Sequence, residues 1–323
     1  MSTSTTENHD HSVDQSLVHR HAAEESFVTQ LRQDRGLFRA TARIPASHRY
    51  WGDHPAHPGS VDPVLLLEVC RQVALAASHR FHSVPVETKF ILSHQSIEVD
   101  GSRILGTADM AHVSVTATPV GLRHRGDDLT QLDLVLSVEH AGEKIATGRI
   151  GLVLRSPERY AALRLRAREG EPLSSTSEPA PQTTGTLAGS LSVGRGDPDN
   201  VVLLDPETLP SGVQALLHVP RTHPSIFDHP QDHLPGMLLV EGARQVAHLA
   251  LSSQPGSDET GGTALSIAAR YLFFGELETP VLLTASDPSP TPSGLAVEVT
   301  ATQQGRTICE ISLTLTSRTE EPG

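Results

Sequence analysis

Two short runs carry charge where the surrounding sequence is apolar. Leu65-Leu66-Leu67-Glu68-Val69-Cys70-Arg71-Gln72-Val73-Ala74 recurs 173 residues later as Leu238-Leu239-Val240-Glu241-Gly242-Ala243-Arg244-Gln245-Val246-Ala247, with seven of the ten positions identical. In each run Glu, Arg and Gln stand at i, i+3 and i+4, a spacing that brings all three to one face of a helix. A carboxylate, a guanidinium and an amide held together can move a proton, grip an anion and donate to a developing oxyanion. Glu68, Arg71, Gln72, Glu241, Arg244 and Gln245 are therefore the candidate catalytic residues. Glu68 or Glu241 would serve as base if burial raises its pKa toward the working pH. Arg71 or Arg244 would hold a phosphate or polarise a carbonyl, and the glutamines would orient these groups or donate to the oxyanion. The competing reading is an internal Glu–Arg pair that closes a gap in the core.

The second run has a distinctive approach, His223-Pro224-Ser225-Ile226-Phe227-Asp228-His229-Pro230-Gln231-Asp232-His233-Leu234-Pro235-Gly236-Met237. His223, Asp228, His229, His233 and Gly236 are read as substrate-binding residues that cap the helix and line a pocket mouth. Asp228 also suits a turn before His229-Pro230. Neither HExxH nor paired Cys/His spacing is present, so no metal site is assigned, and the chemistry calls for no cofactor. The first-half counterpart, His54 to Pro63, pairs His with Pro but lacks the Pro-Gly.

The elements that must carry these residues are legible. Asp62 can cap a helix from Pro63 to Phe81, with Pro63 at its first position. Apolar residues nearly all round imply a helix buried on most sides. Free N–H groups at such a helix start suit a thioester carbonyl or a phosphate. Downstream, each half ends in a hairpin: 132–139 with 144–154, and 295–302 with 307–316. Period-two alternation (Leu132, Leu134, Leu136, Val138; Leu295, Val297, Val299) marks strands with one buried face. Upstream, Val18-His19-Arg20 is echoed by Val193-Gly194-Arg195, which suggests a structural Arg where the chain docks.

One repeat thus reads as a long helix covered by a curved antiparallel sheet, an α+β layer. The expected division is a disordered tail (1–15), a first repeat (16–156), a short basic helix with a Ser/Pro-rich linker (157–189), a second repeat (190–318) and a tail (319–323). Lys and Arg number 25 against 38 Asp and Glu, for a net charge of −13 in 323 residues. That balance argues against nucleic-acid binding and a polybasic membrane surface. Two cysteines form no framework, the N-terminus lacks a signal-peptide pattern, and no apolar run reaches membrane-spanning length, so a cytoplasmic setting is expected.

The run from Pro235 to Gln245 is similar to the central-helix motif of hot-dog-fold acyl-carrier-protein dehydratases. The fuller resemblance is to the A-factor synthase (AfsA) family of γ-butyrolactone-type autoregulator synthases, and it extends from Val18-His19-Arg20 to the final hairpin. It rests on Asp62-Pro63 with Glu68 to Gln72, on Phe90-Ile91-Leu92, and on Phe227 to Pro230 running into Asp232 to Met237 and Glu241 to Gln245. The resemblance implies a tandem (double) hot-dog fold. It also implies transfer of a β-ketoacyl group from an acyl-carrier-protein or coenzyme A thioester to dihydroxyacetone phosphate, followed by condensation to a phosphorylated butenolide. A fused pair would be a pseudo-dimer within one chain, with homodimerisation open. Its pocket would lie between the halves and draw Glu68 from one helix and Arg244 from the other. The alternatives are a hot-dog thioester hydrolase or dehydratase, and a non-catalytic acyl-ligand-binding regulatory protein.

Overall fold

The computed structural model describes residues 12–100, 110–178, 183–254 and 262–316. Residues 1–11 of the expected N-terminal tail and 319–323 of the C-terminal one lie outside these. Ser12 to Gln15, assigned to the tail, are placed: Ser12 bridges to Gln30, and the Asp14 carboxylate caps a short 3-10 turn, Gln15–Val18.

Helix α1 spans Pro63–His82, and its Asp62 cap accepts from the Val64 N–H at 2.8 Å. Every α1 residue except Arg71, Arg80, Phe81 and His82 is buried, so the helix is the axis of a core rather than a surface element. Burying Leu65, Leu66, Leu67 and Leu75 stabilises the fold by about 1.5–3 kcal/mol each. Helix α2, Pro157–Ala167, starts from a Ser156 cap and has no second-half counterpart among the described residues. Helix α3, Gly236–Ser252, plays the part of α1 in the second half.

Among the described residues thirteen strands form one antiparallel sheet. They are β1 (Val28–Asp34), β2 (Leu37–Arg43), β3 (Lys89–Val99), β4 (His112–Arg125), β5 (Asp128–His140), β6 (Glu143–Arg155), β7 (Leu203–Leu209), β8 (Gly212–Leu217), β9 (Ala264–Tyr271), β10 (Leu282–Ser286), β11 (Ser289–Thr291), β12 (Gly294–Gln303) and β13 (Arg306–Leu315). The order is β1-β2-β4-β5-β6-β3-β9-β13-β12-β10-β8-β7, with β11 on β12. Read from its outer edges inward, the sheet repeats itself, so β1-β2-β4-β5-β6-β3 corresponds to β7-β8-β10-β12-β13-β9. Both hairpins turn through a left-handed pair, Ala141-Gly142 and Gln304-Gly305, the geometry that matches strand twist across a two-residue loop. The halves join where β3 pairs with β9, from His94 opposite Arg270 to Glu98 opposite Ser266. The result is a double hot-dog fold in which one continuous sheet wraps two buried helices.

Candidate active site

Both Glu-Arg-Gln triads close on themselves. Glu68 Oε1 accepts from Arg20 Nε and Nη2 at 3.1 and 2.9 Å, from Arg71 Nη2 at 2.8 Å and from Gln72 Nε2 at 2.9 Å; Oε2 accepts from Arg71 Nε at 2.7 Å. Glu241 Oε1 takes Arg195 Nε and Gln245 Nε2 at 2.9 and 2.6 Å, and its Oε2 takes Arg244 Nη2 at 2.5 Å. Arg20 and Arg195 therefore complete the clusters, as their recurrence in sequence suggested. The shared site expected to draw on Glu68 and Arg244 is not supported: Glu68 is bonded within its own half, and Arg244 is spent on Glu241 and on Asp62 of the first half.

Burial pushes the Glu68 carboxyl's pKa up, but Arg20 and Arg71 outweigh burial and the net is a drop to about 2. The raised pKa expected of a base is therefore absent at Glu68: two buried guanidiniums need its charge. The glutamines are also committed. Gln72 Nε2 donates to Glu25 O at 2.7 Å and its Oε1 accepts from Phe27 N–H at 2.9 Å, while Gln245 does the same with Asn200 O at 2.7 Å and Val202 N–H at 2.9 Å. Neither amide has a donor left for an oxyanion, which corrects that expectation.

These clusters reach across the halves from loop to loop. Arg20 Nη1 donates to Ser225 O at 3.1 Å and lies 3.6 Å from Asp228. Arg195 Nη1 donates to Tyr50 O at 2.7 Å in the mirrored arrangement. Asp228 also accepts from His21 N–H at 2.8 Å and holds His229 Nδ1 at 2.5 Å. Asp228 is ionised, since the His229 hydrogen bond and Arg20 outweigh burial and bring its pKa to about 2. With Nδ1–H donated to Asp228, the other ring nitrogen of His229, Nε2, lies 2.5 Å from Gln231 Nε2, so its lone pair is engaged by that amide.

A cavity of about 620 Å³ opens at this junction, walled by His19, Arg20, Lys89, Phe90, His229 and His233 among others. His233 leans on Asp232, which also accepts from Tyr160 Oη at 2.8 Å. Gly236 starts α3 against Tyr271, whose hydroxyl donates to Gly236 O at 3.0 Å; a Cβ on Gly236 would stand 2.8 Å from that hydroxyl. His223 is not on this wall. It is buried against Tyr50 and hydrogen-bonded to Asn200 Oδ1 at 3.0 Å, so its expected place at the pocket mouth is corrected to a structural one. The Ser/Pro-rich linker contributes too: Thr176 and Gln231 exchange backbone and side-chain bonds, and Ser175 reaches the cavity wall.

His19 is the residue that sequence reasoning undervalued. Its backbone is left-handed, at φ 54°, where the repeat uses Gly194 at φ 74°. A β-carbon is disfavoured in that region, so a histidine there carries a backbone cost that glycine avoids. His79 Nδ1 donates to Val84 O at 2.7 Å, so His79 Nε2 accepts from His19 Nε2–H at 2.9 Å, leaving His19 Nδ1 as a lone pair. Burial, then the charges of His79 and Arg71, lower the His19 pKa to about 3 and keep the ring neutral. The substitution of His for Gly between repeats was the signal that could have found it.

The sequence matches the A-factor biosynthesis hotdog domain family twice, over residues 1–154 and 176–318. The chain belongs to the A-factor biosynthesis hotdog family. Relatives in that family include the 2-oxo-3-(phosphooxy)propyl 3-oxoalkanoate synthases of Streptomyces virginiae and Streptomyces coelicolor. The first is 31% identical over 92% of this chain and 95% of the relative, the second 29% over 91% and 88%. In solved structures the fold resembles a candidate oleoyl thioesterase from Lactobacillus plantarum (TM-score 0.52, 12% identity, 87% of this chain, 97% of the other). It also resembles a candidate thioesterase from Novosphingobium aromaticivorans (TM-score 0.52, 16% identity, 89% and 98%). Both hot-dog likenesses speak for the fold alone. Among the described residues no helix is long and apolar enough to cross a membrane.

Proposed function

We propose that the chain transfers a β-ketoacyl group from an acyl thioester to the hydroxyl of dihydroxyacetone phosphate, the reaction that its synthase relatives' names describe. The observation that carries the reading is the cavity between the halves. It brings His229, held by Asp228, to the same wall as Lys89 and the buried Arg20, a base and positive charge together, which is what an alcohol bearing a phosphate requires. The acceptor's hydroxyl displaces the Gln231 amide from His229 Nε2, which then takes the hydroxyl proton while Asp228 stabilises the imidazolium that forms. The alkoxide oxygen attacks the thioester carbonyl, a tetrahedral oxyanion forms, the carbon–sulfur bond breaks, and the thiolate leaves with the proton returned by His229. Lys89 on the cavity wall offers positive charge, and Arg71 and the N–H groups at the α3 start, which are not among the wall residues, are assigned to the phosphate or the oxyanion as part of this proposal. Glu68, Gln72, Glu241 and Gln245 act by holding the arginines and the docked chain, and not as base or oxyanion donors.

The chain then acts as its own dimer, since Arg20 and α1 come from one half and the Asp228–His233 loop from the other. A carrier-protein or coenzyme A donor and a cytoplasmic setting fit this reading. The hydrolase reading lacks a need for Lys89 beside the His229 wall, and a binding protein lacks a need for an aligned Asp–His pair. The test is thiol release from a β-ketoacyl thioester followed with and without dihydroxyacetone phosphate. Release that requires the acceptor supports transfer; release indifferent to it identifies a hydrolase.

A further inference from the structure

The two repeat-related sites are not equivalent. Residues 18–55 map onto 193–230 at a spacing of 175, so that His19, Arg20, Asp53 and His54 correspond to Gly194, Arg195, Asp228 and His229. The helices map at a spacing of 173, so that Asp62, Val64, Arg71 and Leu75 correspond to Pro235, Met237, Arg244 and His248. In the second site Asp62 is fully buried. Its carboxylate caps α1 at Val64 N–H, takes Arg244 Nη1 on both oxygens at 3.1 Å, and lies 3.0 Å from His54 Nε2. Arg244 and His54 hold it ionised against burial, well below the usual carboxylate range. His248 adds a second obstruction, since its ring lies 3.1 Å from where a Cβ on Gly194 would be, the direction that the His19 side chain takes in the other site. The space left there is about 30 Å³, bounded by Asp62, Arg244, Gly194 and His248 among the described residues.

The first site has none of this. Pro235 stands where Asp62 would, and it supplies no side-chain cap to α3. Arg71 spends Nε and Nη2 on Glu68, and its Nη1 meets no acceptor among the described residues, whereas the same atom of Arg244 holds Asp62. Arg71 is the repeat image of Arg244, whose guanidinium meets Asp62 at the α1 start, and the corresponding α3 start at Gly236 is touched by the Tyr271 hydroxyl. At Arg71 and the α3 start the first cluster lacks the carboxylate that its repeat image has in Asp62, while elsewhere it holds the buried Glu25 where the image has Asn200.

We infer that Asp62 is a built-in occupant of the second site, standing where a substrate anion binds in the first. The chain therefore has one working site, whose anion subsite lies between Arg71 Nη1 and the N–H groups of Gly236 and Met237. This deepens the transfer reading, and rests on it only for the identity of the anion: the acceptor's phosphate, or the oxyanion formed from the thioester.

Two variants of the full chain test it, read by anion binding and melting as well as turnover. Asp62→Ala vacates the second site. Calorimetric titration with dihydroxyacetone phosphate or inorganic phosphate is expected to rise from one site per chain to two, and formate is expected to raise the variant's melting temperature more than the wild type's. One site and no added stabilisation overturns the inference. Pro235→Asp puts a carboxylate at the image of Asp62 and does not depend on how well Asp62→Ala folds. Acceptor and phosphate affinity are expected to fall about 100-fold, the scale of one buried charge-assisted contact, with melting unchanged or raised. Unchanged affinity with lost kcat assigns the subsite to the oxyanion. Unchanged affinity and kcat together overturn the inference while leaving the transfer reading intact. If wild-type transfer fails but both binding results hold, the subsite stands and the transfer reading falls.

Discussion

Replacing Glu68 with Gln separates an anchoring carboxylate from a catalytic one. Five hydrogen bonds from Arg20, Arg71 and Gln72 end on Glu68, which is fully buried. Glutamine matches its shape but leaves two guanidiniums with a neutral partner and turns an amide N–H₂ toward one of them. Removing one member of such a buried pair costs about 3–5 kcal/mol. At roughly 2–4 °C per kcal/mol for a domain of this size, the melting temperature is expected to fall by about 6–20 °C. The pH dependence adds a second signature. Glu68 moves from an ordinary 4.5 to about 2 on folding, so its contribution is present above pH 4.5 and is lost as the pH falls toward 2. That contribution is roughly 3 kcal/mol, and the Glu68→Gln variant should lack this part of the acid loss. Thermal denaturation of both proteins between pH 3 and 7 measures it. Wild-type melting of the Glu68→Gln variant at every pH, together with abolished transfer, would refute the anchor and restore Glu68 as a reacting group.

Other expectations follow from the same geometry. His229→Asn is expected to lower kcat by about 10²–10⁴-fold with little change in melting, because the ring is partly exposed and serves as base; steady-state kinetics decides it. His19→Gly copies the repeat and relieves a left-handed β-carbon, so melting should hold or rise by up to about 1 kcal/mol equivalent while transfer falls. Full activity in the His19→Gly variant removes His19 from the site. Gly236→Ala is expected to displace the α3 start from Tyr271 and reduce transfer, visible as reduced near-ultraviolet dichroism and activity. His248 is buried with its pKa lowered to about 3, so the unfolded chain binds the extra proton and stability falls as pH drops below 6.5. By pH 5 this costs about 2 kcal/mol, and His248→Leu, the residue of the other repeat, should flatten that slope in denaturant titrations.

The fold was readable because its signals are periodic. The α1 and α3 patterns, the hairpins and the 173-residue recurrence each follow from one buried face meeting one chain direction. The identity of the charged partners was not. Arg20 lies 48 residues from Glu68 within one half, and Asp62 lies 182 residues from Arg244 across the halves that β3 and β9 join, so neither pairing follows from local spacing. The shift of spacing from 175 to 173 between Pro230 and Pro235 was present in the sequence. It sets Asp62 against Pro235, a carboxylate against a ring with no acceptor, and so holds the asymmetry of the two sites. The sign of the Glu68 shift is not legible in the sequence, because burial alone raises the pKa and two arginines, one from outside the helix, reverse it.

The most direct measurement is mass spectrometry of the acyl product formed from a β-ketoacyl thioester and isotopically labelled dihydroxyacetone phosphate. The account predicts a phosphorylated acyl product that carries the acceptor's label, formed by the wild type and lost with His229→Asn. Unlabelled β-keto acid as the sole product, in protein that binds the acceptor, would contradict it.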